Sequence, residues 1–225
     1  MLHPGSADPI GGQTAAVKCW GRLQLVVRPF SAGRLGGSWA IVRRVELART
    51  GRLLLRRWEE HDLPAFFDLY ARDDVMRWLG HRRPRRALAD PDEARERLRS
   101  WHARERGLDL PLGFWAIVPL VPPGPQPPVG TIPLLPLADA DGPAGLTEVG
   151  WHLHPDHQGR GLATEAAAAV LAVAAEAGIG PVLAMTDLDN IRSQAVAARL
   201  GMRDEGITQR WFGLTMRQFR YLADA

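Results

Sequence analysis

The residues of this chain best suited to chemistry are Gln158-Gly159-Arg160-Gly161-Leu162-Ala163, which lie between a strand-like run and a long alanine-rich segment. A strand, a glycine-bearing turn and a helix N-terminus together make an anion site. The first helical N–H groups lack internal acceptors, the dipole is positive there, and glycines let phosphate oxygens reach the backbone. The run has neither the Gly-Lys-Ser/Thr ending of a P-loop nor the G-x-G-x-x-G order of a dinucleotide fold. By themselves, two glycines at such a place fit a purely structural turn equally well. His152, His154 and His157 follow a His-x-His-x-x-His pattern beside the turn. Strand and turn geometry aim them apart, so no metal site is expected. Cys19 is the single cysteine, which excludes an intramolecular disulfide framework and a multi-cysteine zinc site.

The elements that must position this turn read as one mixed α/β domain. Leu53 to Trp58 is a short apolar strand, followed by acids at Glu59, Glu60 and Asp62 that suit a helix start. Leu63, Phe66, Phe67, Tyr70 and Val75 continue at near-helical spacing to Gly80. Asp90 and Pro91 are the cap and first residue of a second helix, reaching about Arg106. Three strand-like runs, Phe114 to Leu120, Val129 to Leu135 and Thr147 to His154, are separated by turn-rich stretches and form an antiparallel meander. The long helix spans Ala163 to Ala177, with Glu165 and Glu176 on one face and Ala166, Val170, Val173 and Ala177 on the other. A strand from Pro181 to Thr186, a helix from Ile191 to Leu200 and two strands around 203–207 and 211–221 complete the order.

Gln158-x-x-Gly161-x-Ala163 matches the Q/R-x-x-G-x-G/A pyrophosphate signature of the GNAT acetyltransferase superfamily. The wider chain resembles its RimJ/RimL-like branch of ribosomal-protein N-terminal acetyltransferases. Arg52-Leu-Leu-Leu-Arg-Arg-Trp, Asp74-Val-Met-Arg-Trp-Leu-Gly80, Glu148-Val-Gly-Trp151, Gly161-Leu-Ala-Thr-Glu-Ala166 and Asn190-x-x-Ser193 through Arg199-Leu-Gly-Met202 carry the resemblance, in that order, over about residues 50–223. It implies a mostly antiparallel sheet of about six to seven strands, splayed at a cofactor cleft and flanked by about four helices. It also implies transfer of an acetyl group from acetyl-CoA to a primary amine, on a protein N-terminus or a small molecule, by direct attack. The backbone of Gly159, Arg160, Gly161, Leu162, Ala163 and Thr164 would hold the pyrophosphate, and the pantetheine arm would pair near Leu153 and bond Asn190. A backbone N–H between Trp151 and Leu153 is the natural oxyanion donor. Glu148 is the first choice as base, and its alternative is a salt bridge or cap at the strand start. His152 is the second choice, four residues on and so on the same face unless a β-bulge intervenes. The tyrosine that many superfamily members use as general acid is here Ala197, so Ser193 is the alternative, unless it only helps to cap its helix. This departure also leaves room for a second class of function, a non-catalytic acyl-CoA-binding module.

Charge and composition exclude other classes. The chain has 225 residues, 46% hydrophobic and 24% charged, with a mean hydropathy of −0.16. Its uncharged run Ala166 to Ala175 is ten residues, half of the roughly 20 a membrane span needs. No secretory signal is evident, and a cytoplasmic protein is expected. The net charge of +3 comes from residues 1–44, which carry six basic groups against Asp8 alone. The remainder is slightly acidic, so a nucleic-acid footprint on the folded unit is not expected. Residues 1–44, rich in breakers, read as a disordered extension or as the result of a misplaced translation start, and residues 45–225 as the catalytic domain. Arg82, Arg83, Arg85 and Arg86 read as a solvated loop or as a patch steering an acidic substrate. Trp78 and Trp211 are candidates for the acceptor pocket. The sequence leaves the acceptor and the oligomeric state, a homodimer included, open.

Overall fold

The computed structural model describes residues 46–79, 86–122, 124–139 and 142–222. Residues 1–44 and Arg82, Arg83 and Arg85 lie outside these. The apolar runs pair into one sheet made of β1 (Glu46–Arg49), β2 (Leu53–Arg57), β3 (Gly113–Val121), β5 (Gly130–Asp139), β6 (Gly142–Val149), β8 (Val182–Thr186), β9 (Arg203–Thr208) and β10 (Met216–Tyr221). The spatial order is β1-β2-β3-β5-β6-β8-β10-β9. Every adjacent pair is antiparallel except β6 and β8. Two-residue strands attach to it, β4 (Gly124–Pro125) to β3 and β7 (His152–Leu153) to β5. The expected mixed fold is present, with one strand more than expected at its edge. The run Glu-Leu-Ala-Arg of β1 holds two apolar residues between charges, too few to read as a strand before its partner is known.

Among the described residues five α-helices cover the faces: α1 (Leu63–Tyr70), α2 (Asp73–Met76), α3 (Pro91–Glu105), α4 (Leu162–Glu176) and α5 (Ile191–Arg199). The single helix expected from Leu63 to Gly80 is broken, because Arg72 adopts an extended backbone (φ −101°, ψ 122°) and α2 starts anew after it. Asp90 caps α3 as expected, accepting from the Asp92 and Glu93 amides at 2.9 Å. Among the described residues no helix is long and apolar enough to cross a membrane.

Alternation along the strands sorts the core into two layers. Leu54, Phe114 and Leu135 face α1 and α3, packing with Trp58, Phe66, Tyr70 and Leu98. Leu53, Leu55, Trp115, Leu134 and Val149 face α4, whose alanines 166, 169 and 174 bring it close to the sheet. Leu171 of α4 is fully buried there, and truncating such a side chain to alanine costs about 2–5 kcal/mol. One face of α4 departs from expectation. Glu165 is buried and Ala177 exposed, because Glu165 is drawn inward by polar partners on the first hairpin.

The strand expected over Thr147–His154 is two strands. Pro133 of β5 stands opposite the break and has no N–H to return a ladder bond, although Gly150 N donates to its carbonyl at 3.0 Å. The register does not slip across the gap: Leu135 pairs with Glu148 and Thr131 with His152, with no bulge between. Gly130 allows β7 to close on β5, since a Cβ there would lie 2.3 Å from the His152 carbonyl oxygen. The last strand begins at Met216 rather than Trp211, because Trp211 turns into the core and donates to Gln218 at 2.6 Å.

Candidate active site

The parallel pairing of β6 with β8 stops after Thr147–Val182 and Glu148–Leu183, and beyond that point the two strands part. On the other side of the strand, the amide of Gly150 donates to Pro133 of β5 and that of His154 to Val129 just before it. Antiparallel alternation therefore turns the amides of Trp151 and Leu153 toward the gap. A cleft of about 1150 Å³ opens there, reaching from Trp78 and Trp151 to the start of α4. Leu153, Gln158, Gly159, Gly161, Leu162, Ala163, Thr164, Asn190, Ser193 and His152 all border it.

At one end, Gly159 and Gly161 both adopt left-handed backbone (φ 75°), which is why glycine stands at each. Gly161 is the N-cap of α4 and no side chain caps that end. A Cβ on Gly159 would meet nothing within 4 Å, and one on Gly161 only an Arg52 nitrogen at 3.6 Å. The bare helix end suits a diphosphate. Its rear is braced: Glu165 accepts from Arg52 Nε at 2.7 Å and from the Thr50 hydroxyl, while Arg52 also donates to the Arg160 carbonyl at 3.0 Å. The Arg160 side chain is exposed. Gln158 turns its side chain elsewhere, donating to the Leu153 carbonyl at 3.1 Å and accepting from Arg192 at 3.0 Å. It thus fixes the strand end, leaving the adjacent amides to meet an anion.

At the other end, a smaller cavity of about 130 Å³ is bordered by Glu148, Gly150, His152, Trp78, Met185 and Phe212. The unbroken register puts Glu148 and His152 on one face, as expected. Glu148 has no ion pair or hydrogen bond among the described residues, so the salt-bridge alternative fails. Burial pushes its carboxyl up to about 7 against the opposing charge of Arg104. His152 is pulled down to about 4 by burial, helped by the charge of Arg97, and its Nδ1 lies 2.9 Å from the Tyr70 hydroxyl. Asn190 caps α5 by accepting from Ser193 N at 3.1 Å, and Ser193 Oγ accepts from Trp151 Nε1 at 2.7 Å. Trp78 borders both cavities, whereas Trp211 is core and its neighbour Phe212 takes the pocket position.

The remaining candidates are placed elsewhere. Arg86 pairs with Glu93 on the surface. His152 and His154 face the same way, toward α1, rather than apart, but to different partners, and His154 Nε2 lies 3.1 Å from Asp68. Sequence reasoning missed Thr50, Tyr70 and Thr131, which only distant pairing brings to the site; Arg52 and the indole of Trp151 stood inside recognised motifs without a role.

Comparison with known proteins agrees with this fold. An acetyltransferase from Agrobacterium tumefaciens superposes with a TM-score of 0.61 at 26% identity, covering 85% of this chain and 100% of that one. RimL, a ribosomal L7/L12 α-N-protein acetyltransferase in complex with coenzyme A, gives 0.60 at 19% identity, covering 76% and 94%. An acetyl transferase from Salmonella typhimurium that modifies the N-terminal serine of L7/L12 gives 0.59 at 18% identity, covering 77% and 96%. The last two are alike in fold alone. The acetyltransferase (GNAT) domain matches residues 52–203, more than half of the sequence, and the chain belongs to that family.

Proposed function

We propose that the protein is an acetyl-CoA-dependent N-acetyltransferase that acylates a primary amine, on a protein N-terminus or a small molecule, by direct attack in a ternary complex. One observation carries this reading. The β6–β8 ladder ends at Glu148, so an unpaired carboxyl titrating near neutrality borders a small cavity that shares Trp78, Trp151, His152 and Ser193 with the cleft of open strand amides and the uncapped start of α4. Acetyl-CoA supplies the thioester. The backbone of Gly159 to Thr164 holds the diphosphate, with the exposed Arg160 guanidinium beside it. The Leu153 amide and the Asn190 side chain hold the pantetheine arm. Glu148 removes the proton that keeps the incoming amine cationic, a task matched by a pKa near the working pH. The Trp151 amide donates to the carbonyl oxygen as negative charge develops there. Ser193 receives a hydrogen bond from the Trp151 indole, so its own hydrogen is available to the departing thiolate.

The test follows free thiol release from acetyl-CoA with a panel of amines. Release above background with any amine supports the reading. Tight acetyl-CoA binding without release across the panel overturns it in favour of a non-catalytic acyl-CoA-binding module, for which the buried Ala197 in the tyrosine position is the argument.

A further inference from the structure

Four polar side chains run in single file beneath the smaller cavity. Trp58 Nε1 is 3.2 Å from Thr131 Oγ1, which is 2.7 Å from the Tyr70 hydroxyl, which is 2.9 Å from His152 Nδ1. Trp58, Thr131 and Tyr70 are fully buried, so no solvent supplies a missing partner. This fixes the direction of every hydrogen in the chain. An indole N–H can only donate, so Thr131 accepts from Trp58. The Thr131 hydrogen then needs an acceptor, and the Tyr70 oxygen is the other partner of that hydroxyl among the described residues. Tyr70, having accepted, donates onward to His152 Nδ1. The opposite order would leave the Thr131 hydrogen unpaired in a dry interior, the costly alternative. Burial also raises the Tyr70 pKa, so the phenol keeps its proton.

His152 Nδ1 is thus an acceptor already in use, and the ring's one proton sits on Nε2. That nitrogen lies over the bare backbone of Gly150, 3.9 Å from where a Cβ would be, on the face that Glu148 shares. The charged and titratable groups around it are Tyr70 from α1, Arg97 from α3, Glu148 from β6 and, bordering the same cavity, Asp187. None is a base that would draw the proton back to Nδ1. The open amides of Trp151 and Leu153 lie in the plane of the sheet, whereas His152 Nε2 stands off that plane, on the side bordered by Trp78 and Phe212.

We propose that His152 is a fixed Nε2–H donor to an oxygen of the acceptor close to its amine, its tautomer set by the Trp58–Thr131–Tyr70 relay, and that it does not take a proton in the reaction. This rests on the acetyl-transfer reading above and narrows its substrate class. Amines with a carbonyl or hydroxyl oxygen near the nitrogen are preferred over plain alkyl amines. Tyr70 is a positioning residue.

The first measurement needs no turnover. Heteronuclear NMR on protein with isotope-labelled histidine is expected to find His152 in the Nε2–H form, without titration between about pH 5 and 9. Tyr70→Phe is expected to release the lock and mix the tautomers. An Nδ1–H form, or a midpoint inside that window, overturns the proposal. The second measurement is steady-state thiol release with matched pairs, an aminoacyl amide against the alkyl amine of equal length. His152→Ala is expected to raise the KM of the amide about tenfold and leave that of acetyl-CoA unchanged, and His152→Gln, which keeps an N–H near the Nε2 position, to recover most of that loss in KM. A hundredfold fall in kcat for His152→Gln, or no preference within the pairs, overturns it. Absence of release with every amine counts against acetyl transfer, and the NMR result still decides the tautomer.

Discussion

Two glutamates stand at opposite ends of the site, Glu148 bordering the smaller cavity and Glu165 behind the glycine turn, and they are treated in opposite ways. Glu165, in the first turn of α4, is buried and satisfied by Thr50 and Arg52. Glu148, at the end of β6, is half-buried with no hydrogen-bond or ion-pair partner among the described residues, and burial pushes its carboxyl up to about 7. A paired carboxylate is locked in charge and position and serves as scaffold. An unpaired one is held in a costly state that a ligand can relieve, which is the condition of a group meant to exchange a proton.

The sharpest way to break this contrast is to remove each charge in turn. Glu148→Gln lowers kcat by about a thousandfold with little change in acetyl-CoA affinity, read by thiol release against cofactor titration. Wild-type activity rises with pH through about 7, as Glu148 loses its proton, and the variant lacks that limb. The stability sign is the reverse. A carboxyl whose folded pKa is raised costs no stability below its unfolded value, and the cost grows as pH rises from there to the folded value near 7, above which it is complete. Glu148→Gln is therefore more stable than wild type above pH 7, by on the order of 2 kcal/mol in denaturant melts. A next test puts a third carboxylate between the two. Gly161→Asp weakens acetyl-CoA binding about a hundredfold by setting a negative charge against the diphosphate. Aspartate tolerates the left-handed backbone better than most residues, so the fold survives and calorimetry reads the loss. Glu165→Ala costs about 2 kcal/mol of stability, because it leaves Arg52 and Thr50 without their acceptor, yet it leaves the pH limb of kcat in place. Ser193→Ala has the smallest effect, about tenfold on kcat, because a thiolate leaves readily near neutral pH without a strong acid.

The same contrast explains how much could be read in advance. The turn from Gln158 to Ala163, the cap at Asp90, the meander and the shared face of Glu148 and His152 depend on spacing within a few residues, and the sequence displays that directly. The fate of Glu165 does not. Its helical position aligned it with Glu176 toward solvent, and only the pairing of a strand more than a hundred residues away turned it inward. The neutral His152 likewise depends on Tyr70 and Thr131, which distant pairing brings beneath it. Of the two tryptophans named for the acceptor pocket, Trp78 borders the smaller cavity and Trp211 does not. The turn before β10 instead buried that ring and presented Phe212, whose own backbone is left-handed (φ 60°).

The grip of Arg52 on both Glu165 and the Arg160 carbonyl reaches beyond the turn it steadies. It joins the glycine turn before α4 to the outermost hairpin of the sheet, so a ligand held at that turn would be felt at strands that do not border the cleft. Amide hydrogens of β1 and β2 then become remote reporters, exchanging with deuterium more slowly once the site is filled, and that protection vanishes when Arg52 is shortened to alanine.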